Sequence, residues 1–217
     1  MADLAAFDFD GTLTDGGSVF AFLSAVAGRG PVTSASAALS PRLARAALAG
    51  GTVADDTKER LFRRVLAGVE ATRLEEVGRR FAEEHLRDHL RPEVHERFRW
   101  HRDRGDRLVI VSASPEAYLG HAGELLGADH VVATRLAVEG GRLTGGYDGR
   151  NCRGEEKLLR LREWMADLDE PPGRLWAYGN SRGDLRMLAA ADVGVNVGRL
   201  GAVGRLRAYP NLEGTRP

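Results

Sequence analysis

Short apolar runs and helical patterns alternate along most of the chain. The run at residues 4–9 ends at the turn signal Asp10-Gly11-Thr12, and residues 107–112 have the near-continuous apolar character of a buried parallel strand. Further strands are predicted at residues 130–133, 175–178 and 193–197, with a hairpin of 136–138 and 143–145. Helices are predicted at residues 92–105, 115–126, 155–168 and 184–190. This alternation favours an α/β fold, a Rossmann-like, doubly wound parallel sheet with helices on both faces.

A long stretch, residues 18–90, interrupts this alternation with helical spacing and no strand run. Within it, Asp55-Asp56-Thr57 is expected to provide the N-cap of a helix whose apolar stripe begins at Leu61. The stretch begins at a flexible junction, Gly16-Gly17, and ends at a stiff one, Arg91-Pro92. We therefore predict an α/β core from residues 1–15 and 91–217, with an inserted helical domain at residues 16–90.

Composition and charge narrow the range of functions. With 43% hydrophobic and 29% charged residues, the 217-residue chain is globular rather than disordered. Its 31 basic and 31 acidic residues cancel, which argues against general electrostatic binding to nucleic acid or anionic lipid. The single cysteine, Cys152, excludes an intrachain disulfide and a cysteine-based zinc site. We expect a cytoplasmic protein with no stable membrane anchor, and a loosely ordered tail from Gly198.

Polar side chains recur at the carboxyl ends of the predicted strands and near the start of one helix. They are Asp8, Asp10, Ser112, Lys157, Asn180 and Asp184. Because ligands of open α/β sheets bind beyond the carboxyl ends of the strands, these side chains are expected to meet in one crevice. Carboxylates, an amide, a hydroxyl and a lysine are the groups that bind a metal ion and a phosphate.

Asp8 and Asp10 are two residues apart, so a regular strand would point them to opposite faces. They share a site only if the strand breaks between them, which Gly11 permits. One carboxylate of such a pair attacks phosphorus, while the other protonates the leaving oxygen and later activates water. Mg²⁺ would screen the repulsion between carboxylate and phosphate. A polar turn that merely closes the strand is the alternative interpretation.

Three of the other residues also have structural alternatives. Ser112 or Ser114 is a candidate helix N-cap, a role that is compatible with an anion site at a helix N-terminus. Asp184 is a candidate N-cap as well. Lys157 would ordinarily be a solvated lysine, but the chain has only two lysines, Lys58 and Lys157, against 29 arginines, so its position is informative.

Four segments together resemble the motifs of the haloacid dehalogenase-like superfamily, in its phosphoserine-phosphatase-like subfamily IB. In order, they are Asp8-Phe9-Asp10-Gly11-Thr12-Leu13-Thr14, Val111-Ser112-Ala113-Ser114-Pro115, Gly154-Glu155-Glu156-Lys157 and Gly179-Asn180-Ser181-x-x-Asp184-x-x-Met187-Leu188. One motif would be weak evidence, whereas four in order, each at a predicted strand end or helix start, are specific. The resemblance covers about residues 3–197, and it implies that the helical insert is a C1-type cap over the sheet.

The resemblance also implies roles for the matching residues. Asp8 would be the nucleophile and Asp10 the general acid/base of a phosphatase. The phosphate would be bound by Phe9, Gly11, Thr12, Ser112, Ala113 and Lys157. The cofactor Mg²⁺ would be held by Asp8, the main-chain carbonyl of Asp10, Asn180 and Asp184.

Two positions depart from the family pattern. Asn180 stands where an aspartate is usual, so an uncharged amide oxygen would replace a carboxylate and metal affinity should fall. Gly17 stands where phosphoserine phosphatases carry a glutamate that pairs with the substrate amine, with only Asp15 nearby. Phosphoserine is therefore not the expected substrate.

Three further features are assigned structural roles. His85 and His89 have the spacing of a metal-binding pair but no evident third ligand, and are expected on a solvated helix face. Cys152 is expected to be a spectator thiol, despite basic neighbours that would lower its pKa. The apolar cluster formed by Phe20, Phe22 and Leu23 is assigned to the cap core in preference to an apolar substrate pocket.

The expected function is Mg²⁺-dependent hydrolysis of a small phosphorylated metabolite through an aspartyl phosphate. The helical insert would select the substrate without contributing a nucleophile or a phosphate ligand. Two alternatives stay open: a lipid-phosphate phosphatase of the phosphatidylglycerophosphate type, and a catalytically weak phosphate-binding protein of the same family. No nucleic-acid partner is predicted, and the oligomeric state is left open.

Overall fold

A computed structural model describes residues 1–49, 51–198 and 204–215, and it contains a five-stranded parallel sheet. The strands are β1 (Leu4–Phe7), β2 (Arg107–Pro115), β3 (His130–Thr134), β4 (Leu136–Glu139), β5 (Arg142–Tyr147), β6 (Leu175–Gly179) and β7 (Val193–Asn196). The parallel sheet has the order β3-β2-β1-β6-β7, while β4 and β5 form the predicted antiparallel hairpin. The strand order reverses direction at β1, which is where open α/β sheets form their ligand crevice.

The helices divide between the two faces of the sheet and the insert. They are α1 (Val19–Ala27), α2 (Arg29–Ala38), α3 (Ser40–Ala49), α4 (Gly51–Leu66), α5 (Ala71–His89), α6 (Pro92–Asp103), α7 (Glu116–Leu126), α8 (Glu155–Ala166) and α9 (Leu185–Ala190). Alternate residues of β1 belong to two separate apolar clusters: Ala5 and Phe7 face α6 and α7, and Leu4 and Ala6 face α8 and α9. The α/β class and the doubly wound sheet are confirmed.

The helices α1 to α5 lie between β1 and α6 in the chain and share an apolar cluster with α7. Phe22 and Phe81 both pack on the buried ring of Tyr118, with ring centroids 4.6 and 5.1 Å away. Gly78 lets α5 approach α7 closely, since a Cβ there would lie 2.0 Å from the carbonyl oxygen of Ala117. That residues 16–90 act as a cap stays a proposal, but their packing on α7 places them beside the carboxyl end of β2.

Three sequence-based expectations are wrong. Asp55-Asp56-Thr57 does not cap α4, because that helix begins at Gly51 and the three residues lie inside it. His85 is not on a solvated face: it is buried and stacks on Phe81, at 5.2 Å between ring centroids. The tail is ordered at residues 204–215, where Leu212 accepts a hydrogen bond from the buried Arg97. Residues 199–203 and 216–217, also part of that tail, lie outside the described residues.

Within the described ranges, none of the helices is both long enough and apolar enough to span a bilayer.

We expect acidification to destabilise the fold through His101. This ring is fully buried, with Nδ1 2.7 Å from a carboxylate oxygen of Asp106 and Nε2 2.8 Å from the hydroxyl of Tyr178. Burial lowers the pKa of His101 although Asp106 opposes the shift, so below about pH 6.5 the unfolded chain binds more protons than the folded chain. The free energy of unfolding, measured in urea, should therefore fall between about pH 7 and about pH 5.

The comparison for this prediction is His101→Gln, which keeps polar atoms in place but does not titrate in this range. Its free energy of unfolding should fall less over the same pH interval than that of the parent protein. Equal losses in the two proteins would show that His101 does not couple folding to pH.

Candidate active site

The sequence-predicted site residues meet at the carboxyl edge of the central strands. Asp8 directly follows β1, Ser112 lies in the last part of β2, and Asn180 directly follows β6. Since β1 pairs with both β2 and β6, these three segments are neighbours. Lys157 and Asp184 come from the first turn of α8 and the short 3₁₀ helix Arg182–Asp184 before α9.

A buried lysine joins two of the carboxylates. Lys157 is 2% exposed, and its Nζ lies 2.6 Å from Asp8 Oδ1 and 2.5 Å from Asp184 Oδ1. The other oxygen of Asp8 accepts a hydrogen bond from the hydroxyl of Thr12 at 2.9 Å. Desolvation of such charges is costly, so the arrangement persists only because each charge has close partners.

The electrostatics of this group show an excess of negative charge. Burial and the neighbouring Asp184 raise the pKa of Asp8, and Lys157 opposes them. Burial alone would lower the pKa of Lys157, but Asp184 and Asp8 together raise it, so the ammonium stays charged. When both carboxylates are ionised, the one cation between them leaves a negative charge that a bound proton or a further cation would offset.

Asp10 reaches the same crevice because the strand has already ended. β1 stops at Phe7, before both acids and not between them as predicted, so the alternation of strand side chains applies to neither Asp8 nor Asp10. Asp10 Oδ1 accepts the main-chain N–H of Ser18 at 2.7 Å, and its Oδ2 accepts a short hydrogen bond from the hydroxyl of Ser114. Both oxygens are thus held, one from the start of the helical insert and one from the end of β2.

Gly11 allows the turn after Asp10 to lie against Asn180. Its φ is +75°, and a Cβ there would lie 2.0 Å from Asn180 Nδ2, so a side chain is excluded on both counts. Arg91, at the far end of the insert, donates Nη1 to the carbonyl oxygens of Gly11 at 2.7 Å and Val197 at 2.8 Å. Arg91, at the second junction of the insert, therefore ties the Gly11 turn to the residue that follows β7.

The oxygen atoms around Asn180 fit a divalent cation. Asn180 Oδ1 is buried without a hydrogen-bond partner within the described residues, which is costly unless another group satisfies it. Mg²⁺ prefers oxygen ligands, and Asp8 supplies a carboxylate nearby in the crevice. In the part of the chain that the structure describes, no three His, Cys, Asp or Glu side chains form a metal cluster. Binding would therefore depend on amide and main-chain oxygens as well.

Asp184 has protein partners on both carboxylate oxygens. Oδ1 accepts from Lys157, and Oδ2 accepts from the N–H groups of Asn180 at 3.2 Å and Ser181 at 2.9 Å. The Ser181 hydroxyl donates to Oδ2 as well, at 2.7 Å. Ser181 is the N-cap of the 3₁₀ helix and Asp184 completes its capping box, so the structural alternative for Asp184 holds in modified form.

Ser112 is buried and does not cap a helix. Its Oγ accepts the N–H of Ser114 at 3.2 Å, while the N-cap of α7 is Pro115, which makes no side-chain capping bond. The N-cap interpretation of Ser112 and Ser114 is therefore wrong. Ser112 and Ala113 instead form the last part of β2, beside the turn that carries Asp8 and Asp10.

One cation at the crevice comes from the helical insert and was not predicted from the sequence. Lys58, on α4, donates its Nζ to the carbonyl of Ala113 at 2.5 Å and to Asn151 Oδ1 at 3.1 Å. Burial lowers the pKa of Lys58 to about 8, with Asp10 opposing the shift. The available signal was the scarcity of lysine: both lysines of this chain lie at the crevice.

The structure also tests the roles expected for the apolar cluster at Phe20–Leu23 and for Cys152. Phe22 and Leu23 are fully buried in the apolar core, whereas Phe20 is half exposed and lines a pocket next to Asp10. Cys152 is buried, and burial raises its pKa to about 11 although Lys157, Arg160 and Lys58 oppose the shift, which supports the expected role of a spectator thiol.

Comparison with known proteins identifies a family model and several relatives that match most of the chain. A family model described as haloacid dehalogenase-like hydrolase matches residues 5–189. Protein CicA of Caulobacter vibrioides is 41% identical over 195 residues, covering 87% of this chain and 83% of that protein. A phosphoserine phosphatase of Halobacterium salinarum is 31% identical over 196 residues, covering 89% and 85%.

The fold itself also occurs among solved structures. A solved structure of a protein with unknown function from Bordetella pertussis Tohama I superposes with a TM-score of 0.77 at 23% identity, covering 91% of both chains. The family model spans most of the chain, and a phosphatase is among the relatives that match over nearly the full length. The chain therefore belongs to the haloacid dehalogenase-like hydrolases, of the phosphoserine-phosphatase-like type, and is a phosphoric monoester hydrolase.

Proposed function

We propose that this hydrolase cleaves the phosphate monoester of a small metabolite in two steps, through a phosphorylated Asp8. In the first step an Asp8 oxygen bonds to phosphorus, the ester P–O bond breaks, and the leaving alcohol oxygen takes a proton from Asp10. In the second step Asp10 takes a proton from water, and the water oxygen bonds to phosphorus as the acyl-phosphate bond breaks. Inorganic phosphate leaves and Asp8 is restored.

The observation that carries this proposal is the buried ammonium of Lys157 between Asp8 and Asp184. It places positive charge where the phosphate must approach a carboxylate, and it fixes the direction of one Asp8 oxygen. Asp10 is held separately by Ser18 and Ser114, so the two acids have different surroundings and can divide the roles.

The remaining predicted residues fit around these two acids. Ser112 and Lys157 would bind the phosphate, with Thr12 orienting Asp8 through its hydroxyl. Asp8, the Asp10 carbonyl, Asn180 and Asp184 would hold Mg²⁺, which when bound supplies positive charge that screens phosphate from carboxylate. The buried, unpartnered oxygen of Asn180 is the support for this assignment.

Trapping of the intermediate tests the mechanism. The protein is mixed with a phosphate ester carrying radioactive phosphorus, in the presence of Mg²⁺, and quenched in acid within the first turnovers. We expect protein-bound label on the peptide that contains Asp8, released by hydroxylamine as an acyl phosphate should be. Turnover without any bound label would indicate direct attack by water and would overturn the two-step scheme.

Restoring a carboxylate at position 180 should strengthen metal binding. In Asn180→Asp a charged ligand replaces an amide dipole next to Asp8 and Asp184, so calorimetric titration should show tighter Mg²⁺ binding. Without metal, the added buried negative charge should lower the melting temperature, and Mg²⁺ should raise it more than in the parent protein. Turnover need not increase, because the extra charge also repels the phosphate.

The control for this prediction is Asn211→Asp, which makes the same chemical change at an exposed position of the C-terminal segment, where the side-chain oxygen already accepts the N–H of Gly214. It should leave Mg²⁺ affinity unchanged. Unchanged or weaker Mg²⁺ binding in Asn180→Asp would show that Asn180 is not a metal ligand.

A further inference from the structure

A pocket of about 450 Å³ opens between the helical insert and the end of β2, directly beside Asp10. Asp10, Ala113 and Ser114 form its inner wall. Helices α1, α3 and α4 supply an apolar wall of Val19, Phe20, Leu43, Ala46, Ala54 and Leu61. Helix α4 also contributes the polar side chains of Asp55, Thr57 and Lys58 to the lining. Since Asp10 is the proposed proton donor to the leaving oxygen, this pocket is where the alcohol part of a substrate would lie.

The charged groups of the pocket already have partners. Asp55 accepts from Asn151 Nδ2 at 2.6 Å and lies 3.7 Å from Arg153. Asp10 accepts from Ser18 and Ser114. Gly17 also lines the pocket and contributes no carboxylate. The two carboxylates of the pocket are therefore already matched by two cations, Lys58 and Arg153, and a substrate ammonium group would add an unbalanced positive charge.

From these observations we infer that the preferred substrates are phosphate monoesters of small alcohols with an apolar body and no ammonium group. This inference rests on the proposed function, because it assigns the pocket through the role of Asp10. The volume is suited to a small molecule, and the apolar side chains favour alkyl or aryl groups that leave water on binding.

Two opposing effects define the expected selectivity. Each methylene of the alcohol that becomes buried should raise kcat/KM by up to about fourfold, until the pocket is filled. An ammonium in place of a terminal methyl group loses its hydration in the pocket without a new ion pair, so kcat/KM should fall by at least about tenfold. The two effects are independent of the phosphate, which is the same in every substrate.

A matched series of soluble substrates tests the inference. Ethyl, propyl, butyl and pentyl phosphate differ in apolar area but little in leaving-group chemistry, and 2-aminoethyl phosphate replaces the methyl of propyl phosphate by an ammonium group. With Mg²⁺ present, we expect kcat/KM to rise along the alkyl series and 2-aminoethyl phosphate to be the poorest of the five. A flat alkyl series, or preference for 2-aminoethyl over propyl phosphate, would overturn the inference.

Variants locate the effect within the pocket. Phe20→Ser removes an exposed ring from the apolar wall and should lower kcat/KM for pentyl phosphate by about threefold or more, with ethyl phosphate changed by less than about twofold. Phe20→Leu should restore most of the loss. Leu125→Ser makes the same kind of change at an exposed position on α7 that does not line this pocket, and should leave the series unchanged. Equal effects of Phe20→Ser on all substrates would overturn the assignment of the wall.

Two further measurements separate this inference from the proposed function. An aryl phosphate with a good leaving group reports phosphatase activity even where the pocket contributes little, because its leaving oxygen hardly needs a proton from Asp10. If that substrate is turned over and the alkyl series is flat, only the inference about the alcohol fails. If neither the aryl phosphate nor the alkyl phosphates are turned over, the proposed function itself is wrong. A higher kcat/KM for a detergent-dispersed diacylglycerol phosphate than for pentyl phosphate would overturn the assignment to a small soluble alcohol.

Discussion

Replacing Asp8 with asparagine should lower kcat for every phosphate monoester by at least about 10³-fold while the protein stays folded. The amide has the size of the carboxylate but lacks the charge and lone-pair reactivity that the attack on phosphorus requires. Lys157 keeps its second partner, because Asp184 Oδ1 lies 2.5 Å from the ammonium. The fold should therefore tolerate this substitution better than the loss of the lysine.

Phosphate release and thermal unfolding, measured on the same preparation, check this prediction. The matched control is Asp169→Asn, an exposed position in the loop after α8, which should retain parent activity. The label trapped on the Asp8 peptide should disappear in Asp8→Asn. Activity within about tenfold of the parent, with deamidation back to aspartate excluded by mass spectrometry, would remove Asp8 from the role of nucleophile.

The sheet was predictable because its strands are short apolar runs closed by turn residues. Residues 107–112 have the short, nearly continuous apolar run that is typical of a buried strand, and the alternation with helices implied parallel pairing. The start of α4 was not predictable in the same way. Asp55 and Thr57 are good N-cap residue types, but here Asp55 bonds Asn151 across the pocket, so a tertiary contact overrides the local preference.

The site residues on the sheet were predictable from the sequence, whereas the one on the helical insert was not. Asp8, Ser112 and Asn180 follow neighbouring strands, so a correct sheet is enough to bring them together. Lys58 lies on a helix of the insert, and its contact with Ala113 depends on how that helix packs against the core. No periodicity in the sequence encodes that packing. The scarcity of lysine was a signal, but it was applied to Lys157 alone.

His85 shows why charged neighbours in the sequence predicted the wrong environment. The charged residues around His85 in the sequence suggested a solvated face. The apolar stripe of α5 is broad enough to include His85, which is buried next to Phe81. Gly78, two turns earlier, lets α5 press against α7 on this side.

Removal of the buried cation should produce the second large effect, on activity and on stability together. In Lys157→Met the carboxylates of Asp8 and Asp184 lose their shared partner in a site where both are almost fully buried. We expect a loss of about 3–5 kcal/mol in the free energy of unfolding at neutral pH, measured in urea without metal. We also expect kcat/KM to fall by about 10²-fold or more, by the same factor for each alkyl phosphate and for an aryl phosphate.

A uniform factor is expected because every substrate presents the same phosphate to Lys157, in contrast to Phe20→Ser, which acts on the alcohol. A loss that varied strongly with the alcohol would place Lys157 at the leaving group instead. Stability and activity are separated by the double variant Lys157→Met with Asp184→Asn, which removes one of the two repelling carboxylates. It should recover a substantial part of the unfolding free energy and none of the activity, since the positive charge facing the phosphate is still missing. Recovery of activity along with stability would show that Lys157 only supports the fold.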